Sequence, residues 1–131
     1  MTLVDTSAWI EYLRATQSPT HHALRGLIEG GAELATTEVV VMEVLAGGRD
    51  ADHVRRLRGL LGRCRLVPLE GLADYEEAAG LYRRCRRAGA TVRALADCLV
   101  AAVALRAGLP VLHADRDFDV LAEHTGLTVL R

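Results

Sequence analysis

Short apolar runs bounded by turn residues alternate along this chain with longer stretches of helical period. Leu3-Val4, Leu34-Ala35 and Val111-Leu112 are strand-like, as are Leu66 to Leu69 around Pro68 and the final Leu127 to Leu130. Between them the pattern predicts helices over Ala8 to Arg14, from Ser18-Pro19 to the Gly30-Gly31 stop, over Asp50 to Gly62, over Leu72 to Ala88 and over Phe118 to His124. The strands are expected at Thr2 to Val4, Glu33 to Thr36, Leu66 to Leu69, Pro110 to His113 and Leu127 to Leu130. Val39-Val40-Val41 has strand propensity, but Gly47-Gly48 is a C-terminal helix stop, so Thr37 to Ala46 reads as helix. From Cys98 to Leu105 every residue is apolar, so every face of that helix, which runs from beyond Gly89 to Gly108, is greasy and the helix is expected to be buried. Short strands alternating with helices predict an α/β domain over residues 1 to 131, a parallel sheet of about five short strands flanked by helices on both faces.

An acidic residue stands against an apolar run four times. Asp5 closes Leu3-Val4, Glu43 interrupts Val39 to Leu45 on the face of Val40 and Val44, Asp97 heads the Cys98 to Leu105 run, and Asp115 follows Val111-Leu112 by two residues. A lone carboxylate withdrawn from water protonates, pairs or binds a cation. Asp5 and Asp115 also fall at strand carboxyl ends, where open parallel sheets bind ligands. Each acid has a bland reading: Asp5 and Asp115 as helix caps, Asp97 paired with Arg93 one turn earlier, Glu43 paired with any arginine. Gathered together, they call for a hard divalent cation with oxygen ligands, Mg²⁺ or Mn²⁺, and for hydrolysis of a phosphodiester.

Composition narrows the chemistry. All 16 basic residues are Arg and none is Lys, which excludes a P-loop lysine, a Schiff base or a catalytic lysine. The formal charge is -1, so a surface from which several carboxylates have been gathered inward is net positive and suited to a phosphate backbone. Arg83, Arg84, Arg86 and Arg87 either offset the dipole at the end of their helix or bind nucleic acid, and Arg93 and Arg116 stand beside the acids. Three cysteines without close pairing read as reduced thiols, and the absence of C-x-x-C or H-x-x-x-H spacing argues against zinc. No apolar run approaches bilayer length and no charged-then-apolar leader precedes Asp5, so the expectation is a soluble, cytoplasmic chain without a membrane partner. Trp9, Phe118 and His113 are expected to pack, Tyr75, Ala78, Ala79, Tyr82 and Cys85 to form a core stripe, and His21 and His22 to be solvated.

Four segments carry a resemblance: Leu3-Val4-Asp5-Thr6-Ser7, Glu43-Val44-Leu45-Ala46-Gly47, Asp97-Cys98-Leu99-Val100-Ala101-Ala102, and His113-Ala114-Asp115-Arg116-Asp117-Phe118. In order and spacing they resemble PIN-domain ribonucleases, specifically the VapC toxins of bacterial toxin-antitoxin pairs. The resemblance implies a PIN fold and an Mg²⁺-dependent endoribonuclease, Mn²⁺ substituting, with Asp5, Glu43, Asp97 and Asp115 as metal-binding catalytic acids. It implies that Asp117 supports a second metal or orients Asp115, and that Thr6 or Ser7 supplies a supporting hydroxyl. It also implies an RNA substrate, a homodimer and a VapB-type antitoxin whose tail enters the catalytic groove. Two other Asp-after-strand classes fit poorly. Haloacid-dehalogenase-like phosphatases place a second Asp where Ser7 stands and generally use a Lys, and receiver domains need an acidic pair beside Asp5 and the same missing Lys. A PIN-like module that grips RNA or protein without cutting is the remaining alternative.

Overall fold

The computed structural model describes residues 1–130. Five strands, β1 (Thr2–Val4), β2 (Leu34–Thr36), β3 (Arg65–Leu66), β4 (Val111–Leu112) and β5 (Val129–Leu130), form one all-parallel sheet in the order β3-β2-β1-β4-β5. Seven helices connect them: α1 (Thr6–Leu13), α2 (Pro19–Glu29), α3 (Glu38–Ala46), α4 (Ala51–Leu61), α5 (Leu72–Arg87), α6 (Leu95–Ala107) and α7 (Arg116–His124). The chain moves outward from β1 to β3, then jumps to β4 on the other side of β1. Right-handed crossovers therefore place α1 to α4 on one face and α5 to α7 on the other, and each set packs against its own members. The strand order reverses between β1 and β4, so a crevice opens beyond their carboxyl ends. Asp5 and Asp115 leave the sheet there. No helix among the described residues is long and apolar enough to cross a membrane.

The core is built from β1, β4 and α6. Leu3, Val4, Val111 and Leu112 are buried, and on α6 every residue from Asp97 to Ala104 is buried, as an all-round apolar helix requires. Trp9 and Phe118 are fully packed, as expected. Several boundaries differ from the sequence expectation for local reasons. Helix α1 begins at Thr6, not Ala8, because Asp5 itself is the N-cap and accepts the Ser7 N–H. Helix α7 begins at Arg116 because Asp115 caps it in the same way. Helix α6 begins only at Leu95, because the Arg93 and Ala94 N–H groups are held by Asp117 and cannot join a helix. Strand β3 shrinks to two exposed edge residues, with the Val67 N–H still reaching Thr36 O before Pro68 ends the ladder.

Two side-chain expectations are corrected. The buried stripe of α5 is Asp74, Ala78, Leu81 and Cys85, and Tyr75 and Ala79 are exposed. The stripe rotates because Asp74 is drawn inward by Arg106 of α6, at 2.8 Å. His21 is buried, not solvated; its Nδ1 accepts the Gln17 N–H in the turn before α2, where Ala15 and Gln17 both have positive φ.

Candidate active site and family

The crevice between β1 and β4 collects carboxylates from four elements. Asp5, at the end of β1, is buried; its Oδ2 accepts from the Ser7 amide at 3.0 Å and the Ser7 hydroxyl at 2.6 Å, while its Oδ1 has no hydrogen-bond partner. Ser7 Oγ also accepts the Ala114 N–H at 2.9 Å, stitching the loop after β4 to the loop after β1. Thr6 Oγ1 donates to Glu43 Oε1 at 2.8 Å, which fixes the half-buried Glu43 of α3 beside Asp5. The two hydroxyls therefore divide the supporting work, Ser7 on Asp5 and Thr6 on Glu43. Substituting Ser7 with Ala strands the Ala114 amide and unties Asp5; the expected cost is about 1 kcal/mol in thermal or urea unfolding, the usual worth of one hydrogen bond.

Asp97, Asp115 and Asp117 form the tightest part of the site. Each offers an oxygen within 4.8 Å of the others. Asp115 Oδ1 accepts the Asp117 N–H at 2.9 Å, and Asp117 accepts from the Arg93 and Ala94 amides at 3.0 to 3.1 Å. Arg93 pairs with Asp117 at 3.6 Å and not with Asp97, which removes the bland reading of Asp97. The cap readings of Asp5 and Asp115 prove true but incomplete: each caps its helix, while the second Asp5 oxygen is buried without a partner and Asp115 offers an oxygen to the cluster with Asp97 and Asp117.

The electrostatics are unfavourable as the side chains stand. Burial, the hydrogen bond to Asp117, and the charges of Asp5 and Asp115 push Asp97 up to about 9. Burial raises Asp5 as well, the Ser7 bonds opposing it and the Glu43 charge adding to it. Burial also works to raise Asp117, but the Arg93 amide, the proton offered by Asp97 and the Ala94 amide outweigh it and hold Asp117 low. Asp97 is thus pushed towards its protonated form and Asp117 towards its ionised one. Asp97 Oδ2 is buried without a partner, like Asp5 Oδ1. Oxygen donors alone, two of them orphaned and several converging, match what a hard divalent cation takes from a protein.

The rest of the surroundings are basic and apolar. Beside Glu43 a groove of about 350 Å³ opens, floored by Ile10, Leu13, Val44 and Leu57 and edged by Arg14, Arg49 and His53. Arg93 and Arg116 are both exposed, and Arg93 reaches Asp117. Arg83, Arg84, Arg86 and Arg87 are exposed on the last turns of α5, where Arg86 lies over the Tyr82 ring; no hydrogen bond or ion pair links them to the acids among the described residues. Asp117 proves more central than the sequence suggests, where its place two residues after Asp115 marks it as an accessory. The spacing Asp-x-Asp at a helix start was the available signal, since both residues of such a pair lie at the same end of the helix. His113 was expected only to pack, and it does, but its ring also touches the Asp115 backbone.

Five-stranded parallel topology with an acidic crevice at the β1/β4 switch defines a metal-site α/β domain, and the PIN domain family model matches residues 2–124. The chain belongs to the PIN-domain family. Within it, the chain is 44% identical over 128 residues to Ribonuclease VapC11 of Mycobacterium tuberculosis, covering 97% of this chain and 96% of that protein. It is 32% identical over 124 residues to Ribonuclease VapC51 of the same organism, covering 95% and 87%. The fold is shared with VapBC2 from Rickettsia felis, at a TM-score of 0.75 and 13% identity over 98% of this chain and 96% of that one.

Proposed function

We infer that this chain is a metal-dependent endoribonuclease, the toxin of a type II toxin-antitoxin pair, hydrolysing RNA phosphodiester bonds at its acidic crevice. The observation that carries the reading is the convergence of Asp97, Asp115 and Asp117, with orphaned buried carboxylate oxygens on Asp97 and on Asp5; ribonuclease relatives at 44% and 32% identity support it. Asp97, Asp115, Asp5 and Glu43 would hold Mg²⁺, or Mn²⁺ in its place, and Asp117 would support Asp115 or a second ion. When bound, the ion supplies Lewis-acid stabilisation of the phosphodiester and an acidified water. The residues of the chain do the positioning. Ser7 and Thr6 hold Asp5 and Glu43, the Arg93 and Ala94 amides hold Asp117, and Asp97 would have to give up its proton to bind a cation. Exposed Arg93 and Arg116, close in sequence to the acids, would meet the phosphates flanking the scissile bond, and the four α5 arginines would supply longer-range attraction.

The groove beside Glu43, apolar on its floor and basic at its rim, suits an amphipathic segment carrying acidic residues, and we assign it to the VapB-type antitoxin. Exposed Leu72 and Tyr75, one turn apart on α5, supply apolar surface for a homodimer. We read residues 1–131 as one domain and the protein as cytoplasmic.

Incubating the purified chain with total tRNA and ribosomal RNA tests this directly. Discrete fragments are expected with Mg²⁺ or Mn²⁺, and none after chelation by EDTA. RNA that is bound yet left intact under both conditions would instead show a PIN-like binding module that does not cut.

A further inference from the structure

His113 stands at the end of β4, two residues before Asp115, and is 1% exposed. Its backbone is held on two sides. The His113 N–H donates to Leu130 O at 3.1 Å, continuing the β4/β5 ladder, and its carbonyl accepts from Thr20 Oγ1 at 3.2 Å. The ring packs against Phe118 with centroids 5.3 Å apart. So clamped, it turns Nδ1 toward the Asp115 amide, whose N–H donates to it at 3.1 Å, and Nε2 toward Asp119 Oδ1 at 3.6 Å. A backbone amide can only donate, so Nδ1 must be the bare, accepting nitrogen and the ring proton resides on Nε2, on the side of Asp119.

We propose that His113 is a positioning residue for the acidic cluster: its Nδ1, by accepting the Asp115 amide N–H, holds the Asp115 backbone and thereby orients the Asp115 carboxylate within the cluster. This rests on the reading of Asp115 as a metal ligand. The geometry supports it in three ways. Asp115 has non-helical cap dihedrals, φ -130° and ψ 123°, so its amide lies outside the α7 hydrogen-bond ladder and needs a partner elsewhere. One Asp115 oxygen is committed to the Asp117 N–H, so rotation of the Asp115 backbone would move the remaining oxygen and Asp117 together. Further, the loop between His113 and Asp115 contains a single residue, Ala114, whose own amide is tied to Ser7 Oγ. Two consecutive amides of this loop are thus fixed by side chains, one supporting Asp5 and the other seated in the core. Groups that orient metal ligands in this way typically matter 10- to 100-fold in metal affinity.

The test compares His113→Leu, which removes the acceptor, with His113→Asn, whose amide oxygen can replace Nδ1. Binding of Mn²⁺ alone, monitored by electron paramagnetic resonance, is the readout, beside thermal unfolding of each metal-free chain. His113→Leu is expected to bind Mn²⁺ about 10- to 100-fold more weakly than the parent, and His113→Asn to recover most of that loss. Equal affinity in all three chains overturns the proposal. So does an Asn variant no better than the Leu variant when both unfold at the same temperature, since ring volume would then be what matters. Should His113→Leu fail to fold, nitrogen-15 NMR of the unsubstituted chain decides: an unprotonated Nδ1 is expected, and a protonated one overturns the assignment. A parent chain that binds no Mn²⁺ defeats the metal reading of the cluster instead, and the NMR measurement still reads His113 on its own.

Discussion

Replacing Asp97 by Asn is expected to abolish metal-dependent RNA cleavage, by at least about a thousandfold, and at the same time to make the metal-free chain more stable. The two effects have one cause. Asp97 lies among Asp5, Asp115 and Asp117, and burial plus those neighbours push it up to about 9, far above an unfolded aspartate. Its native form therefore binds a proton that the unfolded chain releases near pH 4, so the metal-free fold loses stability as pH climbs from about 4 towards 9. An amide carries no charge at any of these pH values, and the strain disappears. At pH 8 a gain of about 1–2 kcal/mol is expected, the range usual for relieving a destabilised functional site. The same amide is a poor ligand for a hard cation. Loss of about 4 kcal/mol of transition-state stabilisation, within what a Lewis-acid metal supplies, is a thousandfold in rate. Unfolding in EDTA at pH 5 and pH 8, beside a fragment assay in Mg²⁺, measures both sides. A variant that cleaves normally, or one less stable than its parent at pH 8, would show that Asp97 serves the fold and not the ion.

This opposition between stability and chemistry also marks how far the site was legible from sequence. Four acids abutting apolar runs were visible because a buried carboxylate contradicts its surroundings, and the strand-helix alternation placed Asp5 and Asp115 at strand ends without any structural knowledge. The start of α6 was not legible. Nothing in Ala90 to Ala94 forbids a helix, and only a side chain 23 residues later in the sequence, Asp117, takes the amides that would have extended it. His113 was hidden for a related reason: a histidine at a strand end between apolar residues looks like packing, and the direction of its Nδ1 depends on the backbone course of the next two residues. The division of labour between Thr6 and Ser7 was equally out of reach, since α1 had to be started at Thr6 before one hydroxyl faced α3 and the other faced the β4 loop.

Arg106→Met is expected to cost about 2 kcal/mol of folding stability, between the worth of an exposed ion pair and that of a buried one, because Asp74 is buried while the Arg106 side chain is partly exposed. Arg106, in the last turn of α6, donates from Nε and Nη2 to the two oxygens of Asp74 at 3.1 and 2.8 Å, from Nη1 to Glu70 at 3.0 Å, and from Nη2 to the Pro68 carbonyl at 2.8 Å. It thereby ties α6 to the first turn of α5 and to the loop before it. Asp74 is nearly buried, at 4% exposure, so without the guanidinium it is left as an unpaired charge, whereas methionine retains most of the stem packing. The Arg106 hydrogen bonds, over the opposing pull of burial, hold Asp74 below the usual carboxylate range. Its contribution is therefore complete above pH 4 and is lost only as pH falls through that depressed value. At neutral pH the full loss should appear, as a fall of roughly 7 °C in unfolding temperature for a chain of this size. The paired replacement Asp74→Leu with Arg106→Leu should recover most of it, because well-packed apolar residues replace a buried ion pair at little cost. Asp97 and Arg106 stand nine residues apart on α6, about 13 Å along the axis, so the stabilising and destabilising substitutions are expected to add within about 0.5 kcal/mol. If Arg106→Met unfolds within about 1 kcal/mol of the parent, the guanidinium is one surface pair among many. The inward rotation of α5 that buries Asp74 and exposes Tyr75 must then have another origin.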